Sequence, residues 1–166
     1  MSNTINVHTL TAPKSAFITP NPMGILVGFK KLREDINLPK YAKPGDAGFD
    51  FEAAENMIIH GHQTKIIPTG LAVELPEGLE LQVRCRSGIA FKTPLIVKNA
   101  PGTIDSGYRG EIGIILHNLS DEDFTIRKGD RIAQGVISIV PKIFITEVNE
   151  LSSTERGNGG FGSTGV

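Results

Sequence analysis

Glycine and proline punctuate this chain from end to end, and no long helix survives that spacing. The 166 residues carry 19 glycines and 10 prolines, scattered rather than gathered in one segment. Proline removes a backbone donor and glycine costs backbone entropy inside an element, so both favour turns. The apolar runs left between them are short. They predict strands over residues 24–32, 48–51, 57–60, 64–67, 71–75, 79–84, 95–97, 112–116, 124–126 and 132–140. The intervening turns carry Pro-Gly, His-Gly-His, Pro-Thr-Gly, Pro-Glu-Gly and Lys-Gly-Asp. Strands this short and regular predict an all-β fold, an antiparallel sandwich or jelly-roll barrel. One short helix is expected over residues 87–92, with Ser87 as N-cap and a stop before Pro94.

The length fits one domain. Residues 1–24 read as an N-terminal extension, where Pro13, Pro20 and Pro22 oppose helix. Residues 25–151 form the expected β domain, and the Gly- and Ser-rich residues 152–166 are expected to be a mobile tail. No internal repeat is visible. A net charge of -1 gives no general attraction to nucleic acid or an anionic membrane. Any polyanion must therefore be held by locally placed cations and amides. Cys85 is the single cysteine, which rules out an internal disulfide and suits a reducing compartment. Residues 1–22 lack a signal-peptide core, and no apolar run approaches the ~20 residues of a membrane span. The expectation is a soluble, cytoplasmic protein.

The segment from Asn99 to Gly113, NAPGTIDSGYRGEIG, carries the most chemistry. It reads as a tight hairpin between two apolar strands, with Asp105 at its bend. Its glycines allow close backbone approach to a ligand. A hairpin backbone can offer N–H and C=O groups to a planar base, with Tyr108 as one wall. An aspartate that merely closes a turn satisfies the same pattern.

Four other segments bear on function. Residues 83–90, VRCRSGIA, place Arg86, Ser87 and Gly88 at a strand-to-helix junction, where free amides suit a phosphate. In residues 128–135, KGDRIAQG, Gln134 interrupts an apolar run and could hold a water or a phosphate oxygen. Asp50, in DAGFDF, could orient an arginine or a metal-bound water. In the tail, Arg156 and Phe161 suit a lid, one binding a terminal phosphate and the other covering a base. Each of these also reads as ordinary surface, turn or tail. His60 and His62 flank a turn glycine with no further ligand evident, Asp121 to Asp123 reads as a solvated loop, and no Ser/His/Asp triad is apparent.

In order, AGFD, RSGIA, NAPGTIDSGYRGEIG, GDRIAQ and RGNGGFGSTG resemble the five motifs of the trimeric dUTP pyrophosphatases (dUTPases). The resemblance spans about Asp46 to Gly165. It implies a jelly-roll homotrimer that hydrolyses dUTP to dUMP and pyrophosphate, limiting uracil in DNA and supplying dUMP for thymidylate synthesis. It implies Asp105 as the base that activates water, with Asp50 and Gln134 supporting catalysis. Asn99, Gly102, Thr103, Ile104, Glu111 and Ile112 would surround the uracil, and Tyr108 would pack on the deoxyribose. Arg86, Ser87, Gly88 and Gln134 would hold phosphates, and Arg156, Phe161, Gly162, Ser163 and Thr164 would close the lid. Mg2+ would be carried by the triphosphate and water rather than by a protein cluster. Cys85 stands where many members have proline, and Phe51 where leucine is usual. Two rivals share the resemblance. A dCTP deaminase would need a glutamate where this chain has Ile115, and a non-catalytic regulatory relative would bind without turnover.

Overall fold

The structure is a computed structural model and describes residues 24–160. Its elements in order are β1 (Gly28–Lys31), β2 (Phe49–Glu52), β3 (Met57–Ile59), β4 (Thr64–Pro68), β5 (Leu71–Glu74), β6 (Leu79–Arg84), α1 (Ser87–Lys92), β7 (Leu95–Val97), β8 (Gly102–Asp105), β9 (Gly113–Asn118), β10 (Phe124–Ile126) and β11 (Arg131–Ile139). Every strand pairing is antiparallel. The strands form a four-stranded sheet β2-β11-β6-β8, a three-stranded sheet β4-β9-β7, and the pairs β1-β5 and β10-β3. This all-β jelly roll with one short helix is the architecture expected from the turn spacing.

Side-chain alternation builds the core. In β6, Leu79, Leu81 and Val83 point inward while Arg84 is exposed. In β9, Ile114, Leu116 and Asn118 are buried. Phe51 is fully buried, and its ring meets Phe49 edge-on at 5.5 Å. Phe49 in turn meets Phe29 at 5.6 Å. Each such ring contributes about 1.5–3 kcal/mol by leaving water, so the phenylalanine at position 51 serves the core. The buried Asn118 is fully engaged. Its Nδ2 donates to the Ile59 and Glu122 carbonyls, and its Oδ1 accepts from Ser120. This pins the loop after β9 across the end of β3. Two exposed imidazoles fasten the same junction, His60 to Asp123 at 2.9 Å and His62 to Asp121 at 2.8 Å.

The structure corrects three expectations. The segment from Asn99 to Gly113 is not a tight hairpin. β7 and β9 pair in one sheet, but the chain between them crosses to the other sheet and forms β8 against β6. Asp105 therefore ends a strand, opposite Glu80, instead of sitting at a bend. Ser87 is the first helical residue. The cap position belongs to Arg86, whose side chain makes no capping bond. The first strand covers only Gly28–Lys31 of the predicted 24–32, because only those residues face β5.

Candidate active site

The excursion from β7 to β9 encloses a cavity of about 220 Å³. Asn99, Gly102, Thr103, Ile104, Asp105, Tyr108, Glu111 and Ile112 all line it, joined by Val83, Gly113 and Ile115. That is smaller than the ~300–1,000 Å³ of a typical drug-sized pocket, and it suits one small planar group. The lining residues come from β6, β8, β9 and the segment between β8 and β9. Ile115 also faces this space.

Tyr108 is about half exposed, and its hydroxyl donates to the Glu111 carbonyl at 3.0 Å. The ring lies so close to Gly110 that a β-carbon there would overlap it. Only glycine allows this placement. The Tyr108 amide donates to the Asp105 carbonyl at 3.0 Å and closes the turn after β8. Asp105 is exposed, and its carboxylate takes no hydrogen bond among the described residues. Glu111 uses its carboxylate elsewhere, accepting the Gly70 amide at 2.7 Å.

A second cluster sits where β2, β11 and β6 meet. Gln134 faces Asp50 across one strand pair and Arg84 across the other. Asp50 Oδ1 accepts Arg86 Nε at 2.6 Å, and Asp50 Oδ2 accepts Arg131 Nη1 at 3.3 Å. Both Asp50 and Arg86 are mostly buried, which screens their pairing less than at an open surface. Arg86 Nη1 donates to the Arg131 carbonyl at 3.0 Å. This leaves Nη2 without an acceptor among the described residues. Gln134 Nε2 donates to the Cys85 carbonyl at 2.8 Å, and the Val97 amide donates to Cys85 Sγ at 3.2 Å. These bonds fix the corner from β6 into α1. The first amides of α1, at Ser87 and Gly88, have no partner within the helix. Asp50 thus holds two guanidinium groups beside free amides, a setting that suits an anion.

Arg131 was not anticipated as a site residue. A register break between Arg131 and Ala133 lets Ile132 and Ala133 both point inward and sends Arg131 toward Asp50. Its place in GDRIAQ beside Gln134 was the available signal. Beside this cluster lies a cavity of about 790 Å³, lined by residues 35–40, Ala42, Asp50, Glu52 and Arg131 among others. Lys128 pairs with Asp35 at its rim, and that hydrogen bond holds the Asp35 carboxyl below the usual carboxylate range.

Asp105 and Gln134 stand at different points along β6. Asp105 faces Glu80 on β6, whereas Gln134 faces Arg84. At ~3.3 Å per residue, these points are about 13 Å apart along β6, and Arg86 lies beyond the second. Arg156 bonds within its own turn, Nε to the Gly159 carbonyl at 3.0 Å. Phe161, Gly162, Ser163 and Thr164 lie outside the described residues.

The dUTPase family profile matches residues 34–165. A Treponema denticola protein named deoxyuridine 5'-triphosphate nucleotidohydrolase is 53% identical over 140 residues, covering 83% of this chain and 97% of its own length. A Caulobacter vibrioides protein of the same name is 49% identical over 151 residues, covering 87% of this chain and 97% of its own length. Among solved structures, the dUTPase of Staphylococcus bacteriophage 80alpha with dUpNHpp superposes with a TM-score of 0.79. It is 31% identical and covers 85% of this chain and 99% of its own. A profile match over most of the chain and relatives at this identity agree with the cavity and the arginine cluster: this chain belongs to the dUTPase family.

Proposed function

We infer that this chain hydrolyses dUTP to dUMP and pyrophosphate, keeping uracil out of DNA and supplying dUMP. The observation that carries this reading is a base-sized cavity whose rim bears an exposed, unpaired carboxylate. In the proposed mechanism the cavity takes the uracil by its edge, and Tyr108 stacks against the deoxyribose. Asp105 accepts a proton from a water that attacks the α-phosphorus in line. Arg86, with its free Nη2, and the amides of Ser87 and Gly88 bind phosphate oxygens and offset charge as it develops. Asp50 keeps Arg86 in place, and Gln134 keeps the Cys85 corner in place.

Magnesium fits as part of the substrate. No group of three His, Cys, Asp or Glu able to hold a metal occurs among the described residues. Mg2+ characteristically keeps waters and phosphate oxygens, and on the triphosphate it supplies charge neutralisation. A phage phi11 dUTPase variant is described with a structural Mg(II) ion, at 26% identity.

A homotrimer accounts for the distance between Asp105 and Gln134. One copy supplies Asp105 and its cavity, a second supplies Arg86 and Gln134, and a third supplies Arg156 with the lid residues 161–164. The surface supports this assembly. Ile66, paired with the cavity residue Ile115, is 64% exposed, and Phe144 and Ile145 beyond β11 are each 91% exposed. Apolar side chains so open favour burial against another chain. No helix among the described residues is long and apolar enough to cross a membrane.

The test is pyrophosphate release with Mg2+ from dUTP, dTTP, dCTP and UTP. Turnover of dUTP far above the other three is expected. Ammonia released from dCTP, or dUTP bound without turnover, overturns the reading.

A further inference from the structure

The larger cavity shares two lining residues, Asp50 and Arg131, with the cluster that suits an anion. At about 790 Å³ it falls within the ~300–1,000 Å³ of a ligand pocket. A ligand-sized space therefore opens beside the carboxylate that holds Arg86.

Residues 36–42 run along this space and make no backbone–backbone hydrogen bond among the described residues. Side chains hold the two ends of the segment instead. Ile36 is buried in the core, and the Tyr41 ring meets Phe49 edge-on at 5.8 Å. Phe49 precedes Asp50 on β2 and is buried where Asp50 is not, as strand alternation requires. Tyr41 does not line the cavity, whereas its neighbour Lys40 does. Packing Tyr41 on Phe49 thus brings Lys40 to the space next to Asp50.

Charge sets Lys40 apart from the rest of the lining. Asp35 is paired with Lys128, and Asp50 with both Arg86 and Arg131. Glu52 stands opposite Arg131 where β2 pairs with β11. Lys40 is exposed and makes no ion pair or side-chain hydrogen bond among the described residues. The cations here outnumber the carboxylates, and Lys40 is the one left over. A surplus cation beside two guanidinium groups attracts a polyanion locally, in a chain whose net charge of -1 does not.

We propose that the cavity receives the β- and γ-phosphates of the substrate, which leave as pyrophosphate, and that Lys40 is a further phosphate-binding residue there. This rests on the reading of the Arg86 cluster as the phosphate site. A lysine on an exposed segment acts as a point charge on a flexible stem, so its attraction is modest and screened by salt.

The experiment is calorimetry on the full-length protein with Mg2+, titrating pyrophosphate and, separately, dUMP. Lys40→Ala is expected to weaken pyrophosphate binding about 5-fold at low salt, and Lys40→Glu by about 10-fold or more. The affinity for dUMP, which lacks those phosphates, is expected to shift by less than about 2-fold, and added salt to narrow the gap for pyrophosphate. Unchanged pyrophosphate affinity in both variants overturns the proposal, and so does an equal loss for dUMP. Arg86→Ala separates this from the underlying reading. If that variant binds pyrophosphate as the wild type does, the phosphate reading fails and the proposal with it. If Arg86→Ala loses affinity and the Lys40 variants do not, the phosphate reading stands and the role of Lys40 alone is overturned.

Discussion

The cavity beside β8 and the cluster around Asp50 solve opposite problems. On the proposed reading the cavity recognises a neutral, flat group by its shape. Its lining mixes apolar residues with Asn99, Thr103, Asp105, Tyr108 and Glu111, and hydrogen bonds join residues 69–71 to residues 111–112 at its edge. On the same reading the Asp50 cluster accepts concentrated negative charge, with guanidinium groups held ready by Asp50. Arg86 and Arg131 share one carboxylate, and the helix amides beside them are unpaired. Shape recognition needs rigidity over many atoms, while charge recognition needs a few atoms held at the right place. The first is therefore diffuse in the fold and the second is local.

That contrast can be broken by mutation. The largest effect is expected at Asp105→Asn, which removes the proton acceptor and should lower kcat by ~10²-fold or more. Binding of a non-hydrolysable dUTP analogue should hardly change, and near-normal turnover would remove Asp105 as the base. Asp50→Ala comes next. It frees Arg86 and Arg131, and a misplaced charge can cost up to about 10²-fold in kcat/KM. If the regions are independent, binding of deoxyuridine stays as it was, measured by calorimetry. An equal loss of nucleoside affinity would show that the two regions act as one. Gly110→Ala should displace the Tyr108 ring, costing on the order of 1–3 kcal/mol by overpacking. It should raise KM for dUTP with little change in the Arg86 cluster, read from pyrophosphate inhibition.

The smallest effect is expected at Asp35→Asn, on the rim of the larger cavity. The Lys128 hydrogen bond lowers the folded Asp35 pKa, so its contribution to stability is present above the ordinary aspartate pKa of ~3.9. It is lost as pH falls through the lowered folded value. Wild type and variant should thus differ slightly in denaturant midpoint at neutral pH and converge in acid. A gap that widens in acid would reverse the sign.

Several parts of this molecule are legible in the amino-acid sequence. β6, β7, β10 and α1 have the boundaries that the sequence predicts, because each is an apolar run closed by its own turn residues. The residues lining the cavity are legible as a motif. β8 is not, since four residues beginning with glycine and ending in aspartate carry no strand signal of their own. They become a strand only because β6 lies alongside. Arg131 escapes a sequence reading for the same reason, as its direction depends on a register break against β2. Glu111 reads as a ligand contact, and its tie to Gly70 joins residues 41 positions apart.

The sequence alone determined an all-β chain of short strands and the residue types proposed to bind a base and a phosphate. Both depend on periodicity, turn chemistry and motif content, which act over a few neighbouring residues. Only the tertiary structure decided that Asp105 ends a strand, that it stands about 13 Å along β6 from the strand pair holding Gln134, and that Glu111 clasps a distant turn. Strand pairing and cross-sheet hydrogen bonds join residues far apart in the chain, and no local pattern encodes which partner each one meets.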